Sequence, residues 1–291
     1  MNLNQNRNDP DLNFKSFIDH GIYTIAELNE LSKVVKPHFN AIHVNSRSLN
    51  AHFNELCDLL QNIPFVFDAV GCSESWLTDG SNLDFFHITG YNIITDNRTS
   101  SSGGGAMLYL KSEYSYTIRS DLKINQEENL WVETKELIIG VIYNPPTSST
   151  HEKKNFIDKL EETLHKVFLS KKKCLIMGDF NINTLSKNKI TKDYLNVIYS
   201  EGFNPLIFEA TRINETSQSC IDHIHTNFVN SCTSGSIAYE IADHLPIFCI
   251  VYDPQNNPFP EKIEIRDFKG FKQSQFRSEL SQVNWKPVFN S

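Results

Sequence analysis

The amino-acid sequence predicts an α/β fold in which two β-sheets pack against each other and helices cover their outer faces. From residue 39 onward, short apolar segments of strand length recur at close intervals. Two longer stretches between them repeat apolar residues at helical spacing. Many strands with few, well-separated helices are typical of sheets that bury one face against a second sheet and the other against helices.

The predicted strands are short runs rich in branched and aromatic side chains. They are 41-AIHV-44, 65-FVFDAVGC-72, 91-YNIIT-95, 105-GAMLYL-110, 130-LWVET-134, 137-LIIGVIY-143, 173-KCLIMGD-179, 221-IDHIHT-226 and 246-PIFCIVY-252. The predicted helices each carry apolar residues on one face, namely Leu49, Phe53, Leu56, Leu59 and Leu60 in 49–60, and Phe156, Ile157, Leu160, Leu164, Val167 and Phe168 in 152–169.

The pattern divides the chain into three parts. Residues 1–38 are polar and Asn-rich with one weak helical stretch, and we interpret them as a partly ordered lead-in. Residues 39–253 carry the strand and helix pattern and form the predicted domain. The break 253-DPQNNPFPEK-262 indicates a domain end, so 254–291 is interpreted as a linker and the truncated start of a further segment.

Composition narrows the classes of function. The formal net charge of −8 argues against a basic nucleic-acid-binding coat, although a local basic patch remains compatible with it. No apolar run approaches the roughly 20 residues that span a bilayer, and no secretory signal is visible, so we expect an intracellular protein. The six cysteines form no CxxC pair and are expected to be reduced core thiols.

Polar residues stand where several predicted strands begin or end, which is where a rigid scaffold brings side chains to solvent. They are Asn45, Glu74, Tyr143, Asp179, Asn181, Asp222, Asp243 and His244. Each alone is better explained as a turn former, cap or packed side chain. Chance explains one such position well and the whole set poorly, so the set favours a chemical site.

The residue types in this set suit phosphoester hydrolysis. Glu74 and Asp179 offer the hard oxygen ligands that Mg²⁺ prefers. His244, with Asp222 available from a neighbouring segment, can form a carboxylate–imidazole pair beside a developing anion. Asn45 can hold a carboxylate or a water molecule without adding charge. Together they supply a metal site, an oriented water molecule and donors for phosphate oxygens.

The segment 178-GDFNIN-183 combines structural and chemical roles. Strand alternation predicts that Asp179 and Asn181 project to the same side while Phe180 packs into the core. Asn183 is expected to cap the following turn. The alternating pair His223 and His225 is expected to pack or lie at the surface, in preference to binding a metal.

Seven sequence motifs, in this order, carry a family resemblance: N-S-R-S-L (45–49), S-E-S-W-L (73–77), G-G-G-A-M-L-Y (103–109), V-I-Y-N-P-P (141–146), G-D-F-N-I-N (178–183), the segment 217–224 that ends in I-D-H-I with Ser219 three residues before Asp222, and S-x-x-x-x-x-x-D-H-L-P (236–246). From about residue 39 to 252 the chain resembles the endonuclease/exonuclease/phosphatase family, specifically the apurinic-endonuclease-like domain of non-LTR (LINE-type) retrotransposons.

The resemblance implies a fold and an activity. The fold is a DNase I-like four-layer αββα sandwich of two mixed sheets flanked by helices. The activity is hydrolysis of a DNA phosphodiester that depends on Mg²⁺, with Mn²⁺ as a substitute, and nicks one strand to leave a 3′-hydroxyl. In the family that hydroxyl primes reverse transcription, which implies action in the nucleus and a downstream reverse transcriptase as partner.

The resemblance also implies roles for the residues that bind metal and water. Glu74 is the principal Mg²⁺ ligand, and Asp179 positions the attacking water molecule. Asn45 orients Asp179, and Asn181 contacts the water molecule or the reacting phosphate. Tyr143 donates a hydrogen bond to a phosphate oxygen.

The remaining catalytic roles lie at the last strand. Asp222 pairs with His244, which stabilises the scissile phosphate, and Asp243 anchors that end of the site. The implied metal set consists of Glu74, Asp179 and Asp243.

DNA contacts are implied for a second group. Thr211 and Ser219 would contact the DNA backbone, with Arg212 as a further partner. Arg98 with the turn 101-SSGGG-105 would line the DNA groove, although a glycine-rich hairpin turn explains that segment equally well.

One position departs from the repair enzymes of the family. They carry an acidic residue two positions after the first Asn, where this chain has Arg47, which puts a two-metal mechanism in doubt. Arg47 is expected to pair with a carboxylate or with a DNA phosphate. Two alternatives to the endonuclease stay open: a phosphoesterase of the same fold acting on small or lipid substrates, and a relic that binds DNA or a partner without cutting.

Overall fold

A computed structural model describes residues 18–35, 37–99, 103–125, 128–147, 149–228 and 232–252, with 278 and 281–282. The chain divides into a unit Met1–Phe259 and a unit Pro260–Ser291, and the sheets belong to the first unit. The interpretation of 254–291 as a linker and truncated segment lies outside the described residues, apart from those three positions.

The described residues form fifteen strands and four α-helices. The strands are β1 (Ile18–Tyr23), β2 (Phe39–Asn45), β3 (Ala69–Ser73), β4 (Tyr91–Asp96), β5 (Ala106–Lys111), β6 (Tyr116–Ile118), β7 (Asn129–Thr134), β8 (Leu137–Tyr143), β9 (Lys173–Asp179), β10 (Asn204–Pro205), β11 (Arg212–Ile213), β12 (Gln218–Ser219), β13 (Asp222–Thr226), β14 (Cys232–Ile237) and β15 (Ile247–Val251). The helices are α1 (Ile25–Val34), α2 (Leu49–Asn62), α3 (Thr150–Ser170) and α4 (Lys189–Ser200), with 3₁₀ turns at Leu83–Phe86 and Ser120–Leu122.

The strands form two mixed sheets and one small hairpin. The first sheet has the order β1-β14-β15-β2-β3-β5-β4, and the second has the order β10-β13-β9-β8-β7-β6. Strands β2 and β3 run parallel in the first sheet, as do β8 and β9 in the second, and most other pairs are antiparallel. The hairpin pairs β11 with β12.

Three apolar layers separate the sheets and helices. The middle layer lies between the two sheets and contains Ala41, Leu108, Ile139, Met177 and Cys249 among others. The other two lie under the helices. One joins α1 and α2 to the first sheet, and the other joins α3 and α4 to the second. The predicted four-layer arrangement of two packed sheets flanked by helices is therefore confirmed.

Hydrogen bonds between neighbouring residues explain why helix α1 begins at Ile25. The Thr24 hydroxyl accepts a hydrogen bond from the Glu27 amide at 3.2 Å, and the Glu27 carboxylate accepts one from the Thr24 amide at 2.8 Å. This reciprocal pair forms a capping box that satisfies two backbone donors at the start of α1.

The first sheet begins earlier in the chain than the sequence pattern indicated. Strand β1 pairs in parallel with β14 from Ile18 opposite Cys232 to Tyr23 opposite Ile237. Part of the expected lead-in therefore belongs to the sheet. Strand β14 consists mostly of small residues, and a Cβ at Gly235 would lie 2.0 Å from the Gly21 carbonyl oxygen. The small residues of β14 leave no apolar pattern, and in β1 the apolar residues are separated by Asp19, His20 and Gly21, so neither strand was predicted.

Within the described ranges, the chain contains no helix whose length and apolar character would suit it to cross a membrane.

Gly178 gives a test of how closely β8 and β9 approach each other. A Cβ there would lie 1.8 Å from the Ile142 carbonyl oxygen, so the strands would have to separate. We expect Gly178→Ala to lower the free energy of unfolding by about 3 kcal/mol in urea denaturation. Gly21→Ala is the matched control, because its Cβ would meet only Tyr23 Cε2 at 3.8 Å. Equal stability of the two variants would contradict the close approach.

Candidate active site

Strand alternation directs the polar side chains at the strand ends into the space between the two sheets. On β2, Phe39 and Ala41 face the middle layer, so Asn45 points the same way. On β9, Leu175 and Met177 face that layer, and Asp179 follows them. In each strand, the last side chain that faces the middle layer is therefore polar, whereas the earlier ones include apolar residues.

Register brings these ends to one edge of the sandwich. Tyr143 and Asp222 both lie opposite Asp179 in the second sheet, on the two sides of β9. Asn45 lies opposite Ser73 in the first sheet, and Glu74 follows Ser73 directly. Parallel strands end on the same edge, which explains why residues far apart in sequence meet here.

Asn45 joins the two sheets at this edge. Its side-chain amide donates hydrogen bonds to Asp179 Oδ2 at 2.9 Å and to Glu74 Oε1 at 3.0 Å. Its Oδ1 accepts a hydrogen bond from the Arg47 amide at 3.1 Å. The side chain is buried, and every polar atom on it has a partner. A neutral donor therefore holds two carboxylates side by side.

Asp222 and His244 form a buried pair. His244 Nδ1 lies 2.8 Å from Asp222 Oδ2, and the two side chains are 5% and 1% exposed. Burial acts to lower the pKa of His244, but the charge and hydrogen bond of Asp222 outweigh it and raise that pKa to about 9. His244 is therefore positively charged at neutral pH.

Asp179 is held among other acidic groups. Burial, together with the nearby Asp222 carboxylate, raises the pKa of Asp179 well above its ordinary value. Its Oδ1 accepts a hydrogen bond from the Asn181 amide at 2.9 Å, which favours the ionised form. The balance leaves a buried carboxylate whose negative charge a cation would stabilise.

The donor atoms fit a divalent cation that prefers oxygen ligands. Glu74 and Asp179 line the same pocket, and Asp222 Oδ1 is buried without a hydrogen-bond partner. Asp179, Asp222 and His244 each offer a ligand atom, and these atoms lie within 4.8 Å of one another. A protonated imidazole has no lone pair to share, so His244 could ligate only after losing its proton. The carboxylates are therefore the better ligands.

Asn181 lines the pocket as expected, but the backbone conformation that places it there is not the expected continuation of the strand. Strand β9 ends at Asp179, and Asn181 has a positive φ of 50°. Its side-chain amide donates to the Asn144 carbonyl at 2.9 Å. A tight turn, and not strand alternation, therefore brings Asn181 beside Asp179. Asn183 Oδ1 accepts from the Leu185 and Cys220 amides, which caps the turn as expected.

Tyr143 forms a wall of the pocket. Burial, followed by the charges of Glu74 and Asp179, raises the pKa of Tyr143, so its hydroxyl stays protonated and can donate. Arg98 lies behind it, with its guanidinium 5.8 Å from the Tyr143 ring centroid and 2.7 Å from Glu128. Arg98 is only 17% exposed, so it supports this wall instead of lining a groove as expected.

Asp243 holds two arginines at the pocket mouth. Arg47 Nη1 lies 3.2 Å from Asp243 Oδ1, and Arg212 Nε donates to Asp243 Oδ2 at 2.8 Å. Arg47 thus pairs with a carboxylate, one of the two partners expected for it. A cation at Asp243 would have to compete with two guanidinium groups. These contacts argue against the expected role of Asp243 as a metal ligand.

Thr211 is a supporting residue and not a surface contact. It is fully buried, and its hydroxyl accepts hydrogen bonds from the Ile221 and Asp222 amides, each at 3.1 Å. The expectation that Thr211 contacts DNA directly is wrong, because no surface of it is available. Ser219 is half-buried and lies opposite Arg212 in the hairpin.

The sequence pattern did not single out His43. It lies on β2 two residues before Asn45, and therefore on the same inward face. Its Nε2 is 3.1 Å from Ser73 Oγ, and its Nδ1 is 3.8 Å from Asp222 Oδ1. The signal that could have found it is this spacing from Asn45. His223 and His225 pack on the outer side with Phe180 and Tyr194.

The assembled groups surround an open pocket with a volume of about 190 Å³. Its lining consists of Arg47, Glu74, Tyr143, Pro146, Asp179, Asn181, Arg212, Asp243 and His244. The lining carries charges of both signs, because it combines three carboxylates with two arginines and the charged His244. The arrangement can hold a cation and an anion side by side.

The sequence and the structure were compared with those of known proteins, and only the structure finds matches. No protein-family model matches the sequence, and no curated protein matches it. Many solved structures match in fold, including these three. A 3′-5′ exonuclease, NExo, from Neisseria meningitidis is 13% identical and aligns over 74% of this chain and 100% of its own, with a TM-score of 0.59. A 3′ phosphatase NExo from Neisseria, bound to a product DNA hairpin, is 12% identical over 73% and 99%, with a TM-score of 0.57.

The third structure is an AP endonuclease from Archaeoglobus fulgidus, 15% identical over 74% of this chain and 99% of its own, with a TM-score of 0.55. At sequence identities this low, structural similarity shows a shared fold and no more than that. The chain has the DNase I-like sandwich of these enzymes, which confirms the predicted fold class.

The charge on His244 can be measured directly. We expect its ring resonance in the NMR spectrum to titrate near pH 9, and Asp222→Asn to lower that pKa. Because the folded pKa is raised, the stabilising contribution is complete below about pH 6.5 and is lost as the pH rises through about 9. The buried His223, whose pKa burial lowers to about 4, is the internal control and should not titrate near neutral pH. A His244 titration at or below its ordinary value would refute the pairing.

Proposed function

We propose that the chain is a divalent-metal-dependent DNA endonuclease that nicks one strand and leaves a 3′-hydroxyl. The observation that carries the proposal is the pocket at the edge of the two sheets. It combines two carboxylates bridged by Asn45 with a charged His244 held by Asp222. Phosphodiester hydrolysis needs a held cation, an oriented water molecule and donors for the phosphate oxygens, and this pocket offers all three.

Glu74 and Asp179 are the residues that would hold the cation, which we propose to be Mg²⁺, with Mn²⁺ as a substitute. When bound, such a cation neutralises phosphate charge and promotes ionisation of a water molecule. Asn45 fixes both carboxylates through its two donated hydrogen bonds. Asp179 also accepts the proton of the attacking water molecule, which Asn181 helps to position.

His244 and Tyr143 act on the phosphate itself. His244 carries a positive charge at neutral pH and lines the pocket, so it stabilises the charge that develops on the phosphate oxygens. Tyr143 keeps its proton and donates a hydrogen bond to the same group. Arg47 and Arg212 at the mouth attract the DNA backbone despite the net charge of −8.

The proposal extends to the kind of nuclease. Motifs N-S-R-S-L (45–49) and S-E-S-W-L (73–77) resemble the retrotransposon branch of the family. The three structures of similar fold are, by their own names, an AP endonuclease, a 3′ phosphatase bound to DNA and an exonuclease. We therefore infer a nick made in nuclear DNA whose 3′-hydroxyl primes reverse transcription by a downstream partner domain.

A second candidate is a phosphoesterase acting on a small or lipid substrate. The observation that favours it is the net charge of −8, which is unusual for a protein that binds a polyanion.

A plasmid assay tests the proposal. We expect the purified chain to convert supercoiled plasmid to the nicked circle when Mg²⁺ is present. The reaction should stop when the metal is chelated. Asp179→Ala and His244→Ala should each lower the rate at least about 100-fold, because each removes a group that acts in the transition state. A DNA polymerase should extend the nick without prior phosphatase treatment, which reports a 3′-hydroxyl.

His165→Ala is the matched control for His244→Ala, because His165 lies exposed on α3 and pairs with Glu201. It should nick at the unaltered rate. Turnover of a lipid phosphate with no plasmid nicking would favour the second candidate. DNA binding with neither activity would favour a relic that no longer cuts.

A further inference from the structure

Trp76 is turned outward between two buried neighbours. Ser75 and Leu77 are 1% and 2% exposed, whereas Trp76 is 44% exposed. Its φ of 55° lies in the left-handed region, which bulky side chains rarely adopt. A conformation of this kind persists only where the surrounding structure enforces it, and such conformations cluster at functional sites.

Backbone hydrogen bonds enforce it here. The Ser48 amide donates to the Glu74 carbonyl at 2.8 Å, and the Leu49 amide donates to the Ser75 carbonyl at 2.9 Å. On the other side, the Trp76 amide donates to the Gly104 carbonyl at 2.9 Å. The segment is therefore fixed from both sides, and the indole is held in place without being buried.

The indole contacts Glu74, which lines the pocket. Its Nε1 donates to Glu74 Oε2 at 3.3 Å. Gly103 lies beside the indole, since a Cβ built on it would be 3.5 Å from the same nitrogen. As a glycine, it has no side chain that could cover the ring. The single polar atom of the ring is occupied by Glu74. Apart from Nε1 the indole consists of aromatic carbon, and Trp76 as a whole is 44% exposed.

We propose that Trp76 stacks on an unpaired nucleobase adjacent to the phosphodiester in the pocket. The inference rests on the proposed DNA-cleaving function and adds the form of DNA that it favours. Aromatic side chains bind bases of any sequence through their faces. Paired bases have those faces covered inside the duplex, so only an unpaired or extruded base offers one.

The charges of the pocket agree with this assignment. Arg47 and Arg212 line the pocket together with Glu74, the residue that the indole contacts, and are 53% and 40% exposed. Guanidinium groups contact backbone phosphates, which position a strand without selecting its sequence. Phosphates at the arginines and a base on the indole place the strand across the pocket, with the scissile phosphate between Glu74 and His244.

Two substitutions isolate the aromatic face. Trp76→Phe keeps a ring, Trp76→Leu keeps apolar bulk, and both lose the hydrogen bond to Glu74 equally. We compare them in an Asp179→Asn background, which we expect to bind DNA without cutting it. The measurement is fluorescence anisotropy with a labelled duplex that has one unpaired thymine, beside the fully paired duplex. The Phe variant should bind the unpaired site within about threefold of Trp, and the Leu variant about 5- to 150-fold more weakly.

Affinity for the fully paired duplex should be the same for both variants. Trp76→Tyr is a second aromatic variant and should bind like Phe, so the comparison survives if one variant folds poorly. Phe168→Ala is the control for an exposed aromatic residue. Phe168 is 55% exposed near the end of α3, just before β9 begins, whereas Asp179 ends β9. It should bind both duplexes unchanged.

The outcomes separate the two proposals. Equal binding of the unpaired site by the Leu and aromatic variants, with plasmid nicking intact in the unaltered chain, would overturn the role of Trp76 alone. If the unaltered chain does not nick and its Asp179→Asn form binds neither duplex, the proposed function fails and the inference fails with it.

Discussion

The two hydrogen bonds that Asn45 donates to Glu74 and Asp179 are the interaction on which the rest of the site depends. They tie a strand end of the first sheet to a strand end of the second. They also bring two carboxylates together without adding a charge of either sign. A lysine or arginine here would neutralise the carboxylates and compete with a cation for them. An amide leaves their negative charge available.

Around this bridge, the fold places positive and negative groups in contact. His244 lies 2.8 Å from Asp222, and Asp243 pairs with both Arg47 and Arg212. Local backbone strain accompanies this arrangement. Six of the eight non-glycine residues with positive φ in the described ranges belong to the segments of the site: Arg47, Ser48, Glu74, Trp76, Asn181 and Ala242. Each such residue costs on the order of 1–3 kcal/mol, which the packed sheets behind them offset.

The sequence predicted the strands that build the middle layer because their side chains are apolar on at least one face. It missed β14, whose small residues carry little apolar bulk, and β1, whose apolar residues are separated by Asp19, His20 and Gly21. It also missed α4, although Ile190, Tyr194, Val197 and Ile198 recur there at helical spacing. Strands with few large apolar side chains leave little trace in a hydrophobic pattern.

For the site, the sequence placed the residues at strand ends in one pocket, because motif order and strand direction are both readable. It could not separate contact residues from supporting ones. Thr211 and Arg98 were expected at the surface, and tertiary packing covers both. His43 and Trp76 were not singled out, because their significance lies in side-chain contacts across the fold. A sequence pattern predicts which face of a strand or helix a residue occupies, but it does not predict which side chains from other elements contact that residue.

The burial of Asp179 has a consequence for which substitutions the fold tolerates. A buried carboxylate whose pKa is raised well above its ordinary value is less stable when ionised than a neutral side chain of similar size would be. Replacing Asp179 with a neutral residue of similar size would therefore relieve an unfavourable burial. Asp222 differs, because its carboxylate lies 2.8 Å from the His244 ring and each group stabilises the charge of the other. Of these two buried carboxylates, Asp179 lowers the stability of the fold and Asp222 supports it.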